Sequence, residues 1–440
     1  LLQLPQVQNR LLLVVAELAS LAPEIILHLV MPIFTFMGAH TVRQDDEFSS
    51  SALQQTIAKV VPAITAASAL ASAEIEFLLA SFVTAFQHIP RHRRVKLFVS
   101  LINTLGCDKS LHTIVFLIGQ QYAANLAKHR AQECDALVDF VTSVLKTFAA
   151  EECLQGLHGF FQLWDLVPTQ ALEKDSEEWA TLSGRPVFGA AIVSLPTKDL
   201  LALKSRLLRF LNRTLAADEN VAFNSVVSLK MKIALLLFDD ETPQKERDDV
   251  LRCTSQLTSF VLTALETATG LDLYGPEIVE ELYDSLKSVL NLLPLSHYIR
   301  SIVPSLKVAK DPMAVKVAKN FAVLAGQRVE TEVSRASLDD QVDSVVAEQL
   351  LPVLVDGIEK FSNTELVQAY LDTFAIIVTR FGATMPEFAQ STHAKFLVGS
   401  LRVLTSEKGL LSDHVEIVVS SLSALTSIVN CLGVKCIGFF

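Results

Sequence analysis

The sequence predicts an all-α fold, an α-solenoid of stacked helical hairpins with irregular repeats. Leu, Ala and Val dominate a 440-residue chain that is 50% hydrophobic and 19% charged, a mix that favours helix over disorder. Apolar residues recur at helical spacing almost throughout, and strand-like alternation is rare. Pro32, Pro62, Pro304 and Pro352 each fall inside a segment of that spacing. An interior proline removes a hydrogen bond and bends the helix. Repeated, the bend becomes architectural: curved helices wrap their neighbours, and stacked pairs form a superhelix.

The elements follow in order. Ile25 to Met37 reads as a helix with Pro32 inside. Ser51 and Gln54 form a capping box for a second helix that carries Pro62, and Phe48 reads as core. Glu74 to Gln87 and Val95 to Leu105 make a hairpin closed by Gly106. His297 to Gly326 pairs a helix holding Pro304 with a second one, started by Asp311-Pro312 and stopped by Gly326. In Val346 to Gly382 the first helix holds Pro352, Ser362 and Glu365 cap the second, and Gly382 ends it. Polar stretches near 175–186, 239–249 and 327–343 read as exposed loops between repeats, so residues 1–440 are expected to form one continuous solenoid segment.

Composition excludes several function classes. A net charge of −11 argues against a phosphate-binding surface over the whole molecule and confines any nucleic-acid contact to local patches. The six cysteines are scattered, which points to a reducing compartment. The apolar run from Ile25 to Gly38 is broken by His28 and Pro32 and is too short and mixed for a membrane span. The first residues, LLQLPQVQNR, show no leader, and the last are CLGVKCIGFF. Neither end looks like a polar cap, and the chain is read as a piece of a longer protein.

The candidate sites are local. IPRHRRVK places Arg91, His92, Arg93, Arg94 and Lys96 at a turn between helices, a place for phosphate or an acidic partner. In KSRLLRFLNR, Arg206, Arg209 and Arg213 share one face and Leu207, Leu208 and Leu211 the other. That helix fits RNA, a membrane surface or a partner, or simply packs with a wet basic edge. Lys307, Lys310, Lys316 and Lys319 form a weaker cluster. Asp45, Asp46 and Glu47 lack converging ligands for a metal, and Cys431-x4-Cys436 lacks a second pair. No P-loop, Rossmann glycine set, nucleophile elbow or zinc-protease motif occurs, so neither an enzyme nor a cofactor is expected.

Helix pairs with proline in the first helix and Asp311, Pro312, Val315 and Lys316 at the turn resemble HEAT repeats. The segment from His28 to Ile64 is more specific. Met31, Pro32, Phe34, Thr35, Phe36, Met37, Gly38, Arg43, Gln44, Asp45, Asp46, Ser49, Val61 and Pro62 stand where a signature is expected of one family. That family is the very large small-nucleolar-RNA-associated HEAT proteins of the UTP-A subcomplex, in the small-subunit processome. The resemblance covers roughly residues 25–106 and implies a nucleolar scaffold without a catalytic centre. Its implied partners are other UTP-A and processome subunits and the 5′ external transcribed spacer of pre-rRNA, with support of 18S rRNA maturation and rDNA transcription. No membrane and no small-molecule substrate is implied. A transport-type solenoid, an import receptor or coat adaptor, is the competing reading.

Overall fold

The structure is a computed structural model, described here for residues 4–21, 32–33, 36–37, 47–67, 71–174, 176–219, 228–270, 274–333, 339–384 and 393–437. Among these residues every regular element is a helix. They fall into two compact units, residues 1–232 with 242–288, and residues 233–241 with 289–440.

The first unit contains α1 (Pro5–Leu21), α2 (Glu47–Ala67), α3 (Ala71–Thr84), α4 (Arg91–Leu105), α5 (Cys107–Ala127), α6 (Ala131–Leu145) and α7 (Ala150–Asp165). After the short α8 (Glu177–Ser183) and α9 (Gly189–Val193) come α10 (Thr197–Glu219) and α12 (Gln244–Gly270). The helices α11 (Leu229–Phe238) and α13 (Pro276–Asn291) contribute residues to both units. α5 is the central post: α3, α6, α7 and α10 pack on it. Its core is aromatic and tightly keyed. The rings of Phe86, Phe98 and Phe140 meet edge to face at 4.8–6.0 Å, the geometry that aligns positive ring edges with negative faces.

The second unit shows the hairpin stack most plainly. α14 (Leu295–Lys307), α17 (Leu351–Lys360) and α19 (His393–Leu404) form one layer. Their partners α15 (Pro312–Glu332), α18 (Thr364–Thr384) and α20 (Val415–Leu432) form the other. α17 is preceded by α16 (Val342–Val345) and a π-helical turn, Val346–Leu350. Pro352 lies just past that turn and cannot donate to a carbonyl four residues earlier. The wider turn takes up the mismatch without ending the helix. Pro304 lies inside α14 and is exposed, so the Arg300 carbonyl it deprives of a donor is accessible to water. Pro62 is within α2, and Pro32 is in a helical pair of residues.

Several expected boundaries move. α2 begins at Glu47, so Ser51 lies inside it rather than capping it, and Phe48 is 42% exposed rather than core. α4 begins at Arg91, so the basic run forms its first turn rather than the loop before it. Residues 177–183 and 244–249, read as loop, are helical, as are 327–332. Asn363, not Ser362, caps α18: its Oδ1 accepts from the Leu366 amide at 3.0 Å. Gly326 and Gly382 do not stop their helices, which continue to Glu332 and Thr384. They are close-approach points instead. A Cβ on Gly326 would touch Ile376 and Thr373, and one on Gly382 would meet Cys431 at 3.1 Å. Asp311 and Gly106 behave as expected. Asp311 accepts from the Ala314 amide at 2.8 Å. Gly106, at φ +93°, is the single residue joining α4 to α5, a conformation that favours glycine.

Candidate functional site

α4 opens with Arg91, His92, Arg93 and Arg94, behind an N-cap, Pro90, that supplies no side-chain acceptor. Positive side chains at a helix N-terminus add to the positive end of its dipole. Arg94 is the one turned inward. Its guanidinium lies 4.3 Å from the centre of the Phe86 ring. Its Nε donates to the Ile89 carbonyl at 2.9 Å. Burial, then repulsion from Arg91, lowers its pKa. Arg94 therefore ties down the 3-10 turn Phe86–His88. Arg91 and Lys96 are exposed, and Arg93 is half-buried.

On α10 the leucine face is as expected: Leu207, Leu208 and Leu211 are buried. The arginine face is largely used within the protein. Arg209 Nε donates to Glu281 of α13 at 2.6 Å, a bond that raises its pKa. Asn212 donates to the same carboxylate at 3.1 Å, and Ser285 donates to Asn212 at 2.9 Å. Arg213 bonds Tyr122 Oη at 3.3 Å and Asp135 of α6 at 2.7 Å, which together raise its pKa. Arg206 is half-buried. The structure thus joins Arg209 and Arg213 to acids from α13 and α6 and leaves Arg91 and Lys96 as the outward cations of the two segments. In the lysine cluster, Lys319 pairs with Glu365 at 2.6 Å, while Lys307, Lys310 and Lys316 are exposed.

Of the signature residues, Met31, Phe34, Thr35, Gly38, Arg43, Gln44, Asp45 and Asp46 lie outside the described residues. Among the described residues no group of His, Cys, Asp and Glu could hold a metal ion. The six cysteines are free thiols.

Sequence reasoning missed a set of buried and half-buried basic side chains that bind helix ends. Lys204, at the start of the basic segment of α10, is fully buried. Its Nζ donates to the carbonyls of Trp164 and Val167 at 2.8 Å and Asp165 at 3.2 Å, capping α7. It sits 4.2 Å from the Trp164 ring centre, and Trp164 Nε1 donates back to the Lys204 carbonyl at 3.0 Å. Burial lowers its pKa to about 7. Lys232 caps α6 through the carbonyls of Lys146 and Phe148 at 2.6 and 2.7 Å. Arg328 donates to the Leu293 carbonyl at 2.8 Å, and Arg380 to the Val333 carbonyl at 2.7 Å. These two arginines occupy the same place in successive helices, the seventeenth residue counted from Pro312 and from Thr364. The one sequence signal available was Lys204 itself, a lysine on the apolar stripe of Leu208 and Leu211 at i, i+4 and i+7.

Stacked α-helical hairpins, with basic side chains that bind helix ends or face outward, define a HEAT-like class of helical-repeat protein. Consistent with this, the family described as HEATR1-like, HEAT repeats matches residues 71–236. Along its whole length the chain is homologous to U3 small nucleolar RNA-associated protein 10. It is 51% identical to that protein of Debaryomyces hansenii over 100% of this chain and 24% of the relative. The Scheffersomyces stipitis protein is 52% identical over the same shares, and that of Saccharomyces cerevisiae 31% identical over 99% of this chain and 25% of its own length. The chain spans about a quarter of the length of these relatives.

Proposed function

We propose that this chain is a structural, non-catalytic scaffold segment of the nucleolar small-subunit processome, supporting pre-18S rRNA processing and early small-subunit assembly. The observation that carries the reading is identity of about half the residues, along the whole chain, with proteins named for association with U3 small nucleolar RNA. A transport-type solenoid has no comparable support. The same proposal includes the other UTP-A and processome subunits as partners, contact with the 5′ external transcribed spacer of pre-rRNA, a role in rDNA transcription, and a continuous run of HEAT-type hairpins over residues 1–440.

Within this reading the outward cations at the start of α4, Arg91 and Lys96 with Arg93, are the phosphate contact. Arg206, Arg209 and Arg213 form the second surface, secondary because two of the three are paired with acids. The test is in vivo RNA crosslinking with peptide-level mapping, joined to binding of the spacer RNA in vitro. Crosslinks should fall on residues 91–96. Arg91→Ala with Lys96→Ala should weaken binding for every sequence and flatten the logarithmic salt dependence by about 1.5 units, two phosphate contacts being lost. Crosslinks to proteins alone at residues 91–96 would remove RNA from this turn.

A further inference from the structure

We propose that Thr242 is a phosphorylation site, the acceptor for a proline-directed protein kinase that also reads a basic residue three positions on.

The motif is Thr242-Pro243-Gln244-Lys245. Thr242 is the one serine or threonine in the 440 residues that precedes a proline. Each position has a physical reason. A proline biases the residue before it away from helix and toward extended backbone, the form in which a kinase groove holds its acceptor. Pro243 also lacks an amide hydrogen. It therefore suits a groove with no acceptor at that place, where any other residue buries an unbonded N–H. Lys245 supplies a cation for carboxylates at the far end of the groove.

The fold presents this motif. It spans the turn after α11, which ends at Phe238, and the start of α12 at Gln244. Residues 239–246 are all exposed except Thr242, which is half-buried. The hydrogen bonds around it are local. Glu241 donates its amide to Asp239 Oδ1 at 3.1 Å, and the Gln244 side chain donates to Asp248 at 2.8 Å. The amides of Glu246 and Arg247 donate to the Pro243 carbonyl at 3.0 and 3.3 Å. The buried face of α12 begins only at Val250, followed by Cys253, Thr254 and Leu257. The first turn of the helix can therefore open into a kinase groove without uncovering core.

In the transfer, the Thr242 hydroxyl oxygen attacks the γ-phosphorus of ATP. An O–P bond forms and the bond from that phosphorus to the β–γ bridging oxygen breaks. ADP leaves with the electron pair, and the hydroxyl proton passes to the catalytic carboxylate of the kinase. The product adds about 1.5 to 2 negative charges ahead of α12, at the positive end of its dipole. Asp311 stands likewise before Pro312, where its carboxylate accepts from the Ala314 amide.

The test is phosphorylation of the folded chain by a cyclin-dependent kinase with ATP, read by intact-mass and peptide mass spectrometry. A synthetic peptide of residues 237–249 is run beside it. One phosphate should enter the folded chain, on the peptide that bears Thr242. Thr242→Ser should keep the labelling and Thr242→Ala should abolish it. Pro243→Ala should slow it about tenfold or more, and Lys245→Ala should slow it less steeply. The synthetic peptide and the folded chain should react at rates within about tenfold of each other, because the helix end opens at small cost. A labelled peptide beside an unlabelled folded chain overturns the proposal, since the turn is then closed to the kinase. An unlabelled peptide overturns it by removing the motif. Labelling that persists in Thr242→Ala, or is undiminished in Pro243→Ala or Lys245→Ala, overturns it as well.

Discussion

Lys204 shows how much a single side chain can hold. Three backbone carbonyls at the end of α7 converge on its Nζ, and removing it leaves buried acceptors without donors. Lys204→Met should cost about 2–3 kcal/mol in urea unfolding at pH 7. The pH dependence has a definite sign. Its pKa falls from 10.5 to about 7 on folding, so between those values the unfolded chain holds the extra proton. Stability from this group therefore rises with pH from about 7 to 10.5, at on the order of 1 kcal/mol per unit. The methionine variant should lose that slope, and an unchanged slope would assign it to other groups. Nothing in KSRLLRFLNR separates Lys204 from Arg206 as a charge. Only the stripe it shares with Leu208 and Leu211 does, and the acceptors lie 37–40 residues earlier in the chain.

Between helices, glycine and proline were legible as punctuation but not always as to its kind. Asp311-Pro312 starts α15 as read, because a capping carboxylate and a first-turn proline act locally. Gly326 and Gly382 read as stops in the sequence, yet each serves a neighbour more than 40 residues away. The same distance hid the partners of Arg209 and Arg213, which are 72 and 78 residues off in sequence. The basic residues of both segments could be found by composition, but not which of them pair internally. Gly357 is the sharpest case of close approach. A Cβ there would lie 2.3 Å from the Tyr370 ring. That ring is fully buried and held by its hydroxyl, which donates to the Leu306 carbonyl at 2.8 Å. Gly357→Ala should thus destabilise the protein by about 2–3 kcal/mol despite improving helix propensity. A stabilised variant in chemical denaturation would mean that α17 and α18 separate easily.

Across the molecule, acid acts through half-buried imidazoles. His112, His158 and His297 all have pKa values lowered from 6.5, in each case chiefly by burial. The unfolded chain takes up these protons first as pH falls. Their contribution is present above about pH 6.5 and is lost below it. Urea midpoints should fall between about pH 6.5 and 5.5, below the window of Lys204, and a flat profile there would contradict the partial burial of these rings. The fold class was readable throughout because helical period is repeated in almost every segment, and repetition averages out local misreadings such as Ser51 or Phe48.

The free thiols carry a practical consequence. Burial raises the pKa of Cys134, Cys253, Cys431 and Cys436, and pushes that of Cys107 up to about 12. At neutral pH very little thiolate forms, so iodoacetamide should modify these side chains slowly while their helices stay closed. Each alkylation then becomes a clock for opening at its own place, on α5, α6, α12 or the end of α20. Peptide mass spectrometry of a time course would rank the hairpins by how often they breathe, with no label to engineer.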